Sequence, residues 1–174
     1  ASANTSNYRI TRNGSGLGSG SGSGHKAAYL NAGAADHYAG MEYHGANANY
    51  GAAVRVVDHN NVIALRWWTG TIMQLIKRVG RTQTTVASIS GLDTWVEGDV
   101  FGLEATGSEP VNIKVFKNGD PIGNPDGYDI SDAVFSGVAN VGIWGADASA
   151  SASMDNWEGG TLVSDTLTIG VGPA

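Results

Sequence analysis

Apolar residues in this chain recur at every second position, in short runs separated by Gly, Asn and Asp. No long window repeats at helical spacing, so the pattern predicts strands. They are expected at 26–31, 37–44, 51–57, 62–68, 72–79, 83–89, 99–106, 111–117, 138–144 and 152–158, with a further one at 161–169. Asp129 to Phe135 reads as one short helical turn. Many short strands between turn residues predict an all-β protein, an antiparallel two-sheet sandwich.

Two hairpins can be placed in register. Val54-Arg55-Val56-Val57 meets Val62-Ile63-Ala64-Leu65 across the polar turn Asp58-His59-Asn60-Asn61. A four-residue loop pairs 57 with 62, 56 with 63, 55 with 64 and 54 with 65. Side chains alternate along a strand. Val54, Val56, Ile63, Leu65 and Trp67 then point one way, and Arg55, Val57, Val62, Ala64, Arg66 and Trp68 the other. The first set is wholly apolar and is expected to face the core. At the next turn, a two-residue loop would bury Gln74. A three-residue loop, Thr69-Gly70-Thr71, buries Met73 and Leu75 instead and is the register adopted. Gln74, Ile76 and Arg78 join the second face. Lys77 falls on the core side, where it must snorkel or follow a bulge. Further on, Val111 to Lys117 alternates cleanly into Asn118-Gly119, a two-residue turn signal. Val111, Ile113 and Val115 are expected inside and Lys114 outside.

Composition narrows the class. The 174 residues are one domain's worth of chain. Only 15% of residues are charged while Gly numbers 26, a balance that suits a loop-rich extracellular or virion protein. Ten Lys and Arg against 16 Asp and Glu give a net charge of −6, which argues against nucleic acid or a membrane surface as partner. With no Cys there is no disulfide, thiolate metal site or cysteine nucleophile. No apolar stretch is long enough for a membrane-spanning helix. Residues 14–24 are almost entirely Gly and Ser and read as a flexible tether. They separate an arm, 1–13, from a main domain, 25–174. The arm carries Tyr8-Arg9-Ile10-Thr11 as a candidate strand, able to sit away from the main body. The tether lacks the Gly-Lys-Ser/Thr ending of a phosphate loop. The start at Ala1 is expected to be a processed end or a cut from a longer chain.

The order of motifs carries a resemblance. From Tyr50 there is a strand, a turn with Asp58 and Asn61, and a strand ending in Arg66-Trp67. A strand with Leu75 and Lys77 follows, then the run Arg81-Thr82-Gln83-Thr84-Thr85, a strand with Phe101 and Leu103, and Val111 to Gly119. Gly137, Val141-Gly142-Ile143-Trp144 and Met154-Asp155-Asn156-Trp157-Glu158-Gly159-Gly160 complete the series. Over residues 26–160 this resembles the concanavalin A-like lectin/glucanase (laminin-G-like) jelly roll, in particular the domains of bacteriophage minor tail and other virion proteins. The resemblance implies a non-catalytic structural or attachment protein, on a virion surface or otherwise extracellular, presenting a lectin-like sandwich. Its expected partners are other virion or appendage subunits and a cell-surface glycan, with a homo-oligomer as the assembly. The alternative is a secreted carbohydrate-binding module.

Glycoside hydrolysis in the resembling family uses Glu-x-Asp-x-x-Glu on one strand, since two carboxyls must flank the bond. Here Glu97 and Asp99 share a face, Gly102 stands at the third position, and Glu104 points to the opposite side, so no catalysis is expected. His25 abuts the tether and His59 sits at a turn tip. His37 and His44 project to opposite faces of one strand, which rejects a shared zinc ion. The histidines are therefore expected in turns or on the surface. Asp120, Asn124, Asp126 and Asp129, with Asp132 nearby, cluster in one stretch. Calcium takes six to eight oxygens from such loops, and many members of the resembling family carry it, so these are candidate calcium ligands. Turns use the same residue types on their own account. Finally, Trp68 shares the second face with Arg55, Arg66, Gln74 and Arg78. Rings stack on sugars while Arg and Gln hydrogen-bond hydroxyls, which makes these five a candidate ligand face. The apolar residues beside them suit cover by a loop or subunit equally well.

Overall fold

The computed structural model describes residues 2–3, 11–12, 18–19, 26–44, 50–69, 71–145 and 153–162. Its strands are β1 (Ser2–Ala3), β2 (Thr11–Arg12), β3 (Gly18–Ser19), β4 (Lys26–Asn31), β5 (His37–His44), β6 (Tyr50–Asp58), β7 (Asn61–Thr69), β8 (Ile72–Val79), β9 (Thr82–Ile89), β10 (Val100–Thr106), β11 (Val111–Lys117), β12 (Asp120–Ile122), β13 (Tyr128–Ile130), β14 (Asn140–Gly145) and β15 (Ser153–Thr161). Among the described residues a single 3-10 turn spans Ala133–Phe135. The strands form two antiparallel sheets. The first has the order β1-β4-β14-β6-β7-β8-β9, and the second β12-β11-β10-β5-β15-β3-β2, with β13 also on β11.

Alternating apolar residues of both sheets meet in one core. Val54, Ile63, Leu65, Trp67, Met73 and Leu75 of the first sheet pack with Met41, Phe101, Leu103, Ile113 and Val115 of the second. Aromatic rings knit one region of it. Trp67 stacks on Tyr43 and meets Trp95 edge-on, each with centroids 4.7 Å apart. The first sheet carries a second buried cluster on its other face: Ala27, Ala53, Val56, Val62, Ala64, Ile76 and Trp144.

The β7–β8 hairpin has the expected register from Val62–Arg78 to Trp67–Met73, and it closes one step tighter, with Thr69 opposite Ile72 and a register shift at Trp68. Lys77 resolves its conflict by reaching Asp132, Nζ to Oδ2 at 2.5 Å. Lys117 pairs with Asp120 around Asn118-Gly119, both with positive φ, the backbone a two-residue hairpin turn requires.

The β6–β7 hairpin differs from expectation. Asp58 pairs with Asn61, but Val54 pairs with Ile63, so three residues of β6 oppose Val62. The loop is shorter because the Asp58 carboxylate accepts the Asn60 and Asn61 N–H groups at 2.6 and 2.9 Å, closing an Asx-type turn. The excess length is absorbed at Arg55, which adopts a left-handed φ of 51°. Two assignments change in consequence. Val56 belongs to the outer cluster rather than the inter-sheet core. Arg55 leaves the outer face and turns toward the second sheet.

The described pieces of the arm and tether lie on edges of these same sheets. Ser2–Ala3 pairs with β4, Thr11–Arg12 with Gly18–Ser19, and Gly18–Ser19 with β15. Tyr8 to Ile10 and the strand expected at 161–169 beyond Leu162 lie outside the described residues.

Candidate functional site

The outer face of the second sheet has a depression built from missing side chains. Gly102 of β10 pairs with Phe116 of β11 and with Gly40 of β5, and Gly40 pairs with Glu158 of β15. Paired residues share a face, so these four form one row across the sheet. The next row is Lys114, Glu104, Tyr38 and Gly160. Neighbouring side chains lie down over the glycines. Tyr38 Cε1 is 3.4 Å from where a Cβ on Gly160 would stand, and Glu158 Oε1 is 3.6 Å from the same point on Gly40. The hollow measures about 380 Å³, and Tyr38, Glu104, Phe116 and Glu158 supply its functional side chains.

A bulge aims one wall of this hollow. β15 slips against β5 between Asp155 and Glu158. Trp157 turns inward, where its indole N–H donates to the Gly142 carbonyl at 3.0 Å, and Glu158 turns outward beside Gly40. Bulges re-aim side chains in this way at the cost of one ladder position. The hollow therefore offers two carboxylates, which only accept hydrogen bonds, a phenol that donates and accepts, and two aromatic rings. Such a set matches a ligand rich in hydroxyls with apolar C–H faces.

The five residues expected on one ligand face separate. Arg66, Trp68 and Gln74 do come together on the first sheet's outer face. Arg66 Nε and Nη2 donate to Gln74 Oε1 at 3.1 and 2.7 Å. Gln74 Nε2 donates to Ser88 Oγ at 3.4 Å. The guanidinium of Arg66 lies 4.3 Å from the Trp68 ring centroid, and Trp68 is 41% exposed. Arg78 lies on the same strand face as Gln74 but is buried. Arg55 is elsewhere, fully buried, with Nη2 donating to the Gly107 carbonyl and its backbone N–H to His37 Nε2 at 3.2 Å. Its displacement follows from the β6 bulge.

Other expected sites are taken up by structure. His37 is buried, not exposed, with Nδ1 3.1 Å from the Ala34 carbonyl. Of the calcium candidates, Asn124 donates to the Gly127 carbonyl at 2.6 Å, Asp126 N–H donates to Asn124 Oδ1 at 3.2 Å, Asp129 accepts from Asn112 at 2.8 Å, and Asp120 stands on β12. Among the described residues no group of three or more acidic or histidine side chains could hold a metal ion. Asp99 is buried and accepts from Lys117 Nζ at 3.0 Å, Asn118 Nδ2 at 2.8 Å and Val96 N–H at 3.0 Å. Burial pushes its carboxyl up, but the bonds from Asn118, Val96 and Lys117 outweigh that and hold it below 3.8. Glu97 lies in the turn before β10, and Glu104 lines the hollow.

No protein-family model matches this chain, and neither does any curated protein. Solved structures do. The carbohydrate-binding module CBM66 from Bacillus subtilis superposes with a TM-score of 0.60 at 14% identity, over 88% of this chain and 91% of that one. A mutant of the GH43 protein BlXynB from Bacillus licheniformis gives 0.51 at 11% identity, over 73% of this chain and 28% of that one. At these identities the likeness is one of fold: a two-sheet β-sandwich of the jelly-roll type.

Proposed function

We propose that this domain is a non-catalytic, lectin-like carbohydrate-binding module whose glycan sits in the hollow on the second sheet. The observation that carries the reading is the row of outward glycines, Gly40 and Gly102, walled by Phe116 and Glu158 and continued by Tyr38 over Gly160. The sandwich shared with CBM66 is consistent with it. We further propose that binding serves attachment, with the domain carried on a virus particle or an extracellular appendage, in keeping with the motif order. Arg66, Trp68 and Gln74 on the opposite sheet then face a neighbouring subunit.

Gly40 supplies the test. A Cβ there meets no atom closer than 3.5 Å, so Gly40→Gln keeps the strand and fills the floor. Polysaccharide binding, read by affinity electrophoresis, is expected to fall at least about tenfold with the melting temperature little changed. No reducing ends should be released from the bound polymer. Unaltered binding by a folded Gly40→Gln variant would move the site elsewhere.

A further inference from the structure

Resting on that carbohydrate reading, we propose that the hollow selects neutral, hydroxyl-rich glycans and rejects anionic ones, whether uronates, sialates or sulfates. The argument is the sign and type of its groups. Glu104 and Glu158 are the charged side chains that line it, on strands separated by β5, and no basic side chain lines it among the described residues. The nearest cation in the two rows is Lys114, on β11 in register with Glu104 and outside the lining. Ionised carboxylates have no hydrogen to give, so they pair with donors. A sugar hydroxyl is a donor; a ligand carboxylate or sulfate is another acceptor carrying like charge.

Geometry places both acceptors where a ligand must pass. Glu158 leans across Gly40 at the centre of the floor. Glu104 stands beside Tyr38, whose ring lies over Gly160. A sugar ring stacked on Tyr38 therefore has carboxylates on two sides and cannot take an anionic substituent away from both. The net charge of −6 adds repulsion at longer range. An anion-binding lectin face needs the reverse pattern, with Arg or Lys forks aimed at the acid group.

The test uses matched polymers. Glucan, mannan, galactan and fructan are immobilised beside sulfated and carboxymethylated forms of each. Binding of the full chain is measured at about 20 mM and about 300 mM salt, either side of the screening range. The neutral form of at least one polymer should be held about tenfold or more tightly than its charged forms at low salt. The gap should narrow at high salt. A folded Glu104→Gln/Glu158→Gln double variant should weaken neutral binding and close most of the gap. Equal or stronger binding of a sulfated form, or a gap unchanged by the double variant, overturns the proposal. Retention by no polymer, with Gly40→Gln indistinguishable from the parent, overturns the carbohydrate reading itself.

Discussion

His37 is buried with both ring nitrogens committed. Its Nε2 accepts the Arg55 N–H, so the ring proton sits on Nδ1 toward the Ala34 carbonyl. Burial, helped by the Arg55 charge, lowers its pKa below 6.5 against the opposing pull of the Ala34 carbonyl and Asp36. The unfolded chain then binds more protons than the folded one below pH 6.5. The stability due to neutral His37 is complete above that pH and is lost as pH falls toward the folded value. Denaturant unfolding at pH 7.5 and 5.5 should show a loss of up to about 1.4 kcal/mol from this group. His37→Gln should shrink the difference; an identical pH slope in both proteins would sink the assignment. The adjacent tryptophans make a second test. Trp67 is 6% exposed within the aromatic cluster, and Trp68 is 41% exposed beside Arg66. Trp67→Ala should cost about 3–5 kcal/mol and Trp68→Ala about 1 kcal/mol. Equal losses would mean that the two do not lie on opposite faces. That contrast was legible from alternation alone. The burial of His37 was not, because its partners come from the Ala34 turn and a distant bulge.

At the scale of elements, alternation located most strands because one face of each is apolar. The β7–β8 register was readable because only one choice buries Met73 and Leu75 in place of Gln74. The β6 bulge left no such mark. A left-handed arginine has no local signature; what holds it is the Gly107 and Phe135 carbonyls, which its guanidinium reaches across 52 and 80 residues of sequence. The bulge makes an unusual expectation. In an ordinary strand Gly is worse than Ala. At a φ of 51° the order reverses, because a Cβ is strained there by about 1–2 kcal/mol. Both Arg55→Gly and Arg55→Ala lose the guanidinium, and Arg55→Ala should be the less stable by about 1 kcal/mol. Chemical denaturation of the pair decides it, and a more stable Arg55→Ala would argue against the bulge.

For the whole molecule, two stacked sheets follow from composition and periodicity, and the sandwich is the part of the architecture that the sequence states most openly. The hollow was hidden in it. Gly40, Gly102 and Gly160 look like turn punctuation or weak strand positions one at a time. They become a floor only when β5, β10 and β15, far apart in the chain, come into register. In the sequence Glu104 is a carboxylate displaced from a catalytic pattern; in the fold it stands on the wall of this hollow beside Tyr38. The openness of that floor has a further consequence. On the proposed reading, a shallow trough with two rings and two carboxylates leaves much of a sugar chain in water, so each engagement is brief. Lasting adhesion then depends on repetition. Copies held together on one support meet a repeating polymer at an effective concentration in the millimolar range, and simultaneous engagement raises retention by about 10²–10⁴ without any new contact. Residence time is thus governed by valency, through the number and spacing of copies, more than by the fit of any single trough.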